Sequence, residues 1–398
     1  MLAVVSTHPI QYHAPVYRFL QQQLGIQVTA IYGSDLSVGG YEDIEFGEKF
    51  AWDTDLLSGY NHVFLSRVEN RGATSLENIP ATGLSDVLRH LSPMVVMMGG
   101  YGHRLHRRAF LVANRQRVPI LFRAETNDDD RSRGLVKRFA RDAVLRSVYQ
   151  RCKKLLYIGE QSRRHYRRLG TPEDKLIFSP YCVDTSSFQT DERARSELRV
   201  PTRKSLGIAP DQKVVLFSGK LSERKGTDLL IEAIKRLQPD AREKITLVFV
   251  GNGDIKSALE EQALNPPAVN AIFPGFKNQT ELSPFFHAAD ILVLPSRRSE
   301  TWGLVVNEAL HHGLPCVVSR AVGCSLDLIE PGVSGNTFAT GSPESLALAI
   351  QKTLGLAEKA ETRGRCQAKV AAYSVEAAAR GIADAYSSLV PNSHYALA

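Results

Sequence analysis

The chain has 398 residues, 43% of them hydrophobic and 23% charged, a balance that excludes a disordered or collagen-like chain and suffices for more than one core. No apolar run approaches the ~18 residues a membrane span needs, and the N-terminal apolar stretch stops at Ser6 without a basic segment before it, so no signal peptide is expected. Cys152, Cys182, Cys316, Cys324 and Cys366 form no C-x-x-C pair, which argues against a disulfide framework or zinc knuckle and for a reducing, cytoplasmic setting.

The net charge of +7 is uneven. Residues 1–180 hold 25 Lys/Arg against 18 Asp/Glu, whereas residues 181–398 hold 24 of each. Residues 101–170 alone carry 19 basic and 6 acidic side chains, in "HRLHRRAF", "RSRGLVKRFARDAVLRSVYQRCKK" and "RRHYRRLG". An anionic membrane surface at the inner face of the cell membrane or a phosphorylated acceptor would suit that block, as would a plain solvated helix face. Nucleic acid is not expected, because no recognition motif accompanies the charge.

Strand-length apolar runs alternate with amphipathic segments from the first residues on. "LAVVS", "IQVTAIY", "HVFLS", "MVVMMG", "VPILFRA", "KLLYIG" and "KLIFSP" predict seven strands in the first half. Residues 33–60 form a long polar connection with Trp52 and Tyr60, of the length that functional loops have. After "SPYCVDTSSF" and a charged helix the alternation restarts with "KVVLFSG", "ITLVFVG", "NAIFPGF", "DILVLPS" and "PCVVS". The pattern predicts an α/β protein of two Rossmann-like, doubly wound domains facing a cleft. The first spans residues 1–185 and the second 186–375. A C-terminal helix over 376–398 is able to pack back on the N-terminal domain.

The first loop, "STHPIQYHAP", has none of the glycines that a phosphate-cradling first turn needs. It offers Gln11 and His13 instead, as side chains for an acceptor-side wall. The chemistry is written later, in "ADILVLPSRRSETWGLVVNEALHHGLPCVVS". A strand ends near Ser296, a loop presents Glu300, and a helix starting at Gly303 carries Glu308. The unpaired amides of Gly303, Leu304 and Val305 at the helix start favour an anion. A sugar diphosphate matches this pattern, with phosphate on the amides, sugar hydroxyls on Glu300 and ribose on Glu308. In "LFSGKLSERKGTDLLIEAI" another strand ends before Gly219, Lys220 and Lys225, placing two cations where a departing diphosphate gains charge.

Together these stretches resemble glycosyltransferase family 4 (glycosyl transferases group 1), retaining enzymes of the GT-B fold. "SGKLSERKG" is similar to that family's donor-phosphate turn and "ETWGLVVNE" to its E-x7-E signature. "VGNGD", "FPGF", "ELSPFFHAADILVLPS" and "GLPCVVS" follow in the expected order, so the similarity runs from Val214 to Gly335. The resemblance implies a nucleotide-sugar donor as substrate, held by the C-terminal domain, and a glycan, lipid-linked or small-molecule acceptor held by the N-terminal one. It implies retention at the anomeric carbon, no cofactor and no essential metal. Lys220 and Lys225 would contact the diphosphate, Glu300 the donor sugar and Glu308 the ribose. Lys220 stands where the family usually has arginine, keeping the charge but losing the bidentate fork.

The N-terminal half, with "HPIQYHAPVYRFL", "FAWDTDLLSGY", "GGYG", "LFRAET" and "SPYCVD", resembles a bacterial subgroup of these transferases, which points to polysaccharide or glycoconjugate synthesis. Many members have a histidine at the end of the fourth strand, where this chain reads Met98-Gly99-Gly100-Tyr101. His103 is the nearest and is expected as a cleft residue near the reaction centre. Glu125 in "FRAETNDDD" is a candidate for an acceptor hydroxyl, while Asp128 to Asp130 lack the spacing of a metal loop. Two other readings stay open: a nucleotide-sugar 2-epimerase of related fold, and a non-catalytic membrane-associated sugar-binding module.

Overall fold

The computed structural model describes residues 1–38, 41–43, 48–50, 54–70, 75, 78–126, 128 and 135–390. Trp52, Asp129, Asp130 and the end of the expected C-terminal helix, 391–398, lie outside the described residues.

In the N-terminal half, β1 (Leu2–Ser6), α1 (Ala14–Gln22) and β2 (Val28–Tyr32) are followed by a short hairpin, β3 (Tyr41–Asp43) and β4 (Glu48–Phe50). Then come β5 (Asn61–Phe64), α2 (Leu84–Leu91), β6 (Val95–Met98), α3 (Arg104–Arg115) and β7 (Ile120–Phe122). The half closes with α4 (Leu135–Arg151), β8 (Lys154–Tyr157), α5 (Glu160–Arg168) and β9 (Leu176–Phe178). Seven of these strands form one sheet in the order β5-β2-β1-β6-β7-β8-β9, parallel throughout. Helices cover both faces, so strands such as β1 and β6 are buried at every position and read as continuous apolar runs.

The C-terminal half begins with α6 (Glu192–Ser205), β10 (Lys213–Ser218), α7 (Thr227–Lys235), α8 (Pro239–Glu243) and β11 (Ile245–Val250). It continues through α9 (Lys256–Leu264), β12 (Asn270–Gly275), α10 (Ser283–Ala288), β13 (Ile291–Leu294) and α11 (Leu304–His311). Last are β14 (Cys316–Ser319), α12 (Ser325–Leu328), β15 (Gly335–Phe338), α13 (Pro343–Ala357), α14 (Thr362–Val370) and α15 (Val375–Ser387). Six parallel strands form the second sheet in the order β12-β11-β10-β13-β14-β15. The fold is therefore α/β with two Rossmann-like domains.

The sequence pattern did not reveal β15, because "GNTF" contains no apolar run. Its pairing depends on Gly335, where a Cβ would lie 1.8 Å from the Cys316 carbonyl oxygen. The hairpin β3–β4 breaks the 33–60 connection that the sequence reads as loop.

Helix α15 returns to the first sheet. Ala378, Ala379, Ile382 and Ala383 are fully buried in the same core as Leu2, Leu20 and Leu156. Gly381 allows the approach, since a Cβ there would sit 2.0 Å from the Phe178 carbonyl oxygen. The two halves also touch directly. Gly159 packs on the Trp302 ring, and the Glu160 amide at the start of α5 donates to Asp327 Oδ1 at 2.9 Å. Because every strand in each sheet is parallel, the carboxyl ends of one sheet's strands share one edge, the edge at which open α/β sheets hold ligands.

Candidate active site

Two neighbouring strands of the second sheet supply the charged centre. β10 ends at Ser218, just before Gly219 at φ +146°, and the chain enters α7 through Gly226 at φ +68°. A Cβ on Gly226 would lie 2.4 Å from the Pro295 carbonyl oxygen, so glycine lets this turn press against the loop after β13. Arg297 on that loop forks onto both Asp228 carboxylate oxygens at 2.6 Å, and Arg224 donates to the Ser299 carbonyl at 3.0 Å. The stitching brings Lys225 Nζ to 2.5 Å from Glu300 Oε2, which also accepts from Ser296 Oγ at 2.9 Å.

Both partners are nearly buried, with side chains 16% and 12% exposed. Burial pushes the Glu300 carboxyl up, but the Lys225 charge and hydrogen bond, helped by Arg224 and Ser296, outweigh it and hold the group below its ordinary value.

Gly303, at φ +94°, caps α11 and fits between Leu294 and Val322, where a Cβ would come within 2.8 and 2.9 Å. The first amides of α11 therefore open toward the cleft with no helical carbonyl to bond. Glu308 lies one turn further along the face of Leu304 and Val305. It is buried, and burial alone pushes its carboxyl up to about 8.

The opposite wall comes from the first sheet. Glu125, just beyond β7, accepts hydrogen bonds on Oε1 from Tyr12 at 2.9 Å and from Tyr181 at 2.6 Å. Its Oε2 accepts from Thr301 Oγ1, the residue after Glu300, so one carboxylate ties the two walls together. Tyr181 is held by Arg123, whose guanidinium lies 5.0 Å over its ring and donates to the Ser179 and Pro180 carbonyls.

The resulting cavity has a volume of about 360 Å³. Of the residues expected from sequence, Gln11, Glu125, Gly219, Lys225, Glu300, Gly303, Leu304, Val305 and Glu308 line it. The Gln11 side-chain oxygen is shielded from solvent and has no protein partner.

Three residues sit elsewhere. Lys220 is buried where β10 runs on beside the next loop, between Gly219, bonded to Val250, and Leu221, bonded to Asn252. His13 caps α1, its ring against Tyr12, Tyr17 and Tyr181, and burial together with Arg123 and His8 keeps it well below the usual histidine range. His103 caps α3 beside His106, outside the residues that line the cavity. Sequence reasoning missed Tyr12, Tyr181, Thr301 and Trp302, although "QYH", "SPYCVD" and "ETW" contain them. Among the described residues no three His, Cys, Asp or Glu side chains converge as around a metal ion.

Residues 200–386 match the family model described as glycosyl transferases group 1. That match spans a little under half of the chain, the half that carries the second sheet. Over 209 residues the chain is 30% identical to an uncharacterized glycosyltransferase of Methanocaldococcus jannaschii, covering 52% of each protein. It is 33% identical over 218 residues to D-inositol 3-phosphate glycosyltransferase 2 of Catenulispora acidiphila, covering 52% of this chain and 48% of that one. The chain thus spans about half the length of these curated relatives.

Similarity to solved structures extends over the whole molecule. Anabaena HepE, crystallised with UDP, superposes with a TM-score of 0.70 at 18% identity, over 97% of this chain and 99% of that one. Sucrose-phosphate synthase of Thermosynechococcus elongatus gives 0.69 at 18% identity over 98% of both. At these identities the likeness establishes the fold, GT-B, and nothing finer.

Proposed function

We propose that the protein is a retaining glycosyltransferase that moves a sugar from a nucleotide-sugar donor to a glycan, lipid-linked or small-molecule acceptor. The observation that carries this reading is the Lys225–Glu300 pair, set beside the open amides of α11 and facing Glu125 across the cleft. Lys225 and the first amides of α11 would hold the diphosphate, and the Glu308 carboxyl would accept the ribose hydroxyls. Glu300 is kept ionised, ready to accept hydroxyls of the donor sugar. That a related fold holds UDP in Anabaena HepE supports a nucleoside diphosphate here.

In the reaction the bond from the anomeric carbon to the phosphate oxygen breaks and the bond to the acceptor oxygen forms on the same face. The acceptor proton passes to the departing phosphate. The positive charge of Lys225 and the dipole of α11 meet the charge that the leaving group gains, so no metal is required. Glu300 faces the positive charge that develops on the sugar ring. Gln11, Tyr12 and Glu125 position the acceptor on the opposite wall.

The test is transfer by folded Glu300→Gln and Lys225→Ala variants. Both are expected to lose at least about a hundredfold in kcat, the scale of a lost electrostatic contact in a transition state. Full activity in both would overturn the assignment.

A further inference from the structure

The basic block of residues 101–170 divides in the structure into two unlike parts. At its end, on α5, Arg163, Arg164, Arg167 and Arg168 are tied into ion pairs with Glu160, Glu173, Asp128 and Asp142. On α3, Arg104, Arg107, Arg108 and Arg115 recur at helical spacing along the outer face, and among the described residues none of them forms an ion pair.

Helix α4 beside them is anomalous. Its inner face buries Asp142, Leu145 and Tyr149. Its outer face should be polar in a water-soluble domain. Instead Val136 is 83% exposed, Phe139 73% and Val144 57%, with exposed Ala140 and Ala143 between them and Lys137 and Arg146 on the flanks. Leu111, 50% exposed on α3, extends the patch. Between the two helices lies an apolar cavity of about 420 Å³, lined by Tyr101, Phe110, Leu111, Val144 and Val148 with Arg107 at its wall. It begins at Met98 and Gly100, at the carboxyl end of β6, on the sheet edge that also carries Gln11 and Glu125.

We propose that the α3–α4 face docks on an anionic lipid bilayer. Val136, Phe139 and Val144 enter the hydrocarbon boundary, and the α3 arginines with Lys137 and Arg146 meet the lipid phosphates. Exposed aliphatic and aromatic side chains ringed by cations that form no ion pair among the described residues make the pattern of an interfacial helix. Charge complementarity selects an anionic lipid surface over a second copy of the chain, since two such faces would bring like charges together. No helix among the described residues is long and apolar enough to cross a membrane, so the contact is peripheral. The inference goes beyond the proposed reaction and does not depend on it.

The test is flotation of the full chain with vesicles containing phosphatidylglycerol, against vesicles of phosphatidylcholine alone. The protein is expected to float with the anionic vesicles at low salt and to be released as salt is raised. Phe139→Glu/Val144→Glu changes two exposed positions, so its melting temperature and nucleoside-diphosphate binding should hold while flotation falls by about tenfold or more. Lys137→Gln/Arg146→Gln should weaken binding by roughly tenfold at low salt and flatten the salt dependence. The proposal is overturned if the wild type stays with the unbound fraction at low salt, or if Phe139→Glu/Val144→Glu floats as well as wild type. It is equally overturned if the wild type is a dimer that this variant dissociates, because the face would then be a contact between copies.

Discussion

Lys225 Nζ and Glu300 Oε2 stand 2.5 Å apart although 75 residues separate them in the chain. Each ends a different strand-to-loop exit, β10 and β13, and their pairing depends on the close fit of Gly226 against Pro295. The pair holds Glu300 ionised in a site where burial alone would favour the neutral acid.

Breaking one side of this pair should therefore cost more than removing both. Lys225→Ala leaves a buried carboxylate without its cation and is expected to lose about 3 kcal/mol. Adding Glu300→Gln should recover a large part of that loss. A double-mutant cycle by denaturant unfolding at neutral pH measures the coupling, and strictly additive costs would contradict the pairing.

Glu308 predicts a pH effect of defined sign. Its folded value, about 8, lies above the ordinary 4.5, so between those pH values the folded state keeps a proton that the unfolded state has released. Its contribution is fully present below about 4.5, declines as pH rises and is lost above about 8, a change on the order of a few kcal/mol. Glu308→Gln removes this decline. The stability of the variant relative to wild type should rise steadily across that window in unfolding curves taken at successive pH values.

Gly226→Ala forces φ +68° on alanine and drives its Cβ into the Pro295 carbonyl. Gly341→Ala, at φ +79° in open space, carries the backbone strain without the clash. The first variant is expected to lose about 3 kcal/mol or more and most of its nucleoside-diphosphate affinity. The second should lose about 1 kcal/mol and keep its affinity.

Glu125 bonds Tyr12, Tyr181 and Thr301 and so spans the cleft. As an acceptor-side group it should matter to transfer and little to donor capture. Glu125→Ala is expected to bind nucleoside diphosphate within about twofold of wild type while transfer falls about tenfold or more. Calorimetry alongside a transfer assay separates the two effects.

Most of the framework was legible in the sequence because it depends on local pattern. All twelve strands predicted from apolar runs are present, with ends shifted by a few residues. β15 was not legible, because its pairing rests on the missing side chain of Gly335 rather than on hydrophobicity. The C-terminal wall of the cleft was legible for the same local reason: Gly219, Gly303 and the two glutamates sit at strand and helix ends that the sequence marks. The burial of Lys220 was not legible, since it follows from the continued pairing of Gly219 and Leu221 beyond β10. The N-terminal wall depends on the approach of Glu125 to Thr301, 176 residues away, and no local spacing encodes that distance. The setting of His13 was not legible either: its ring packs behind the cleft wall, against Tyr12 and Tyr181 of that wall and against Tyr17.

The most direct test of the central claim is thermal shift of the full chain against a panel of nucleotide sugars and nucleoside diphosphates. At least one should raise the melting temperature in proportion to the logarithm of its concentration. The same ligand should lose that effect in Lys225→Ala and in Glu308→Ala, each judged against its own ligand-free baseline. A panel without effect on the wild type, or an equal shift in both variants, would contradict a nucleotide-sugar site at Lys225, Glu300 and Glu308.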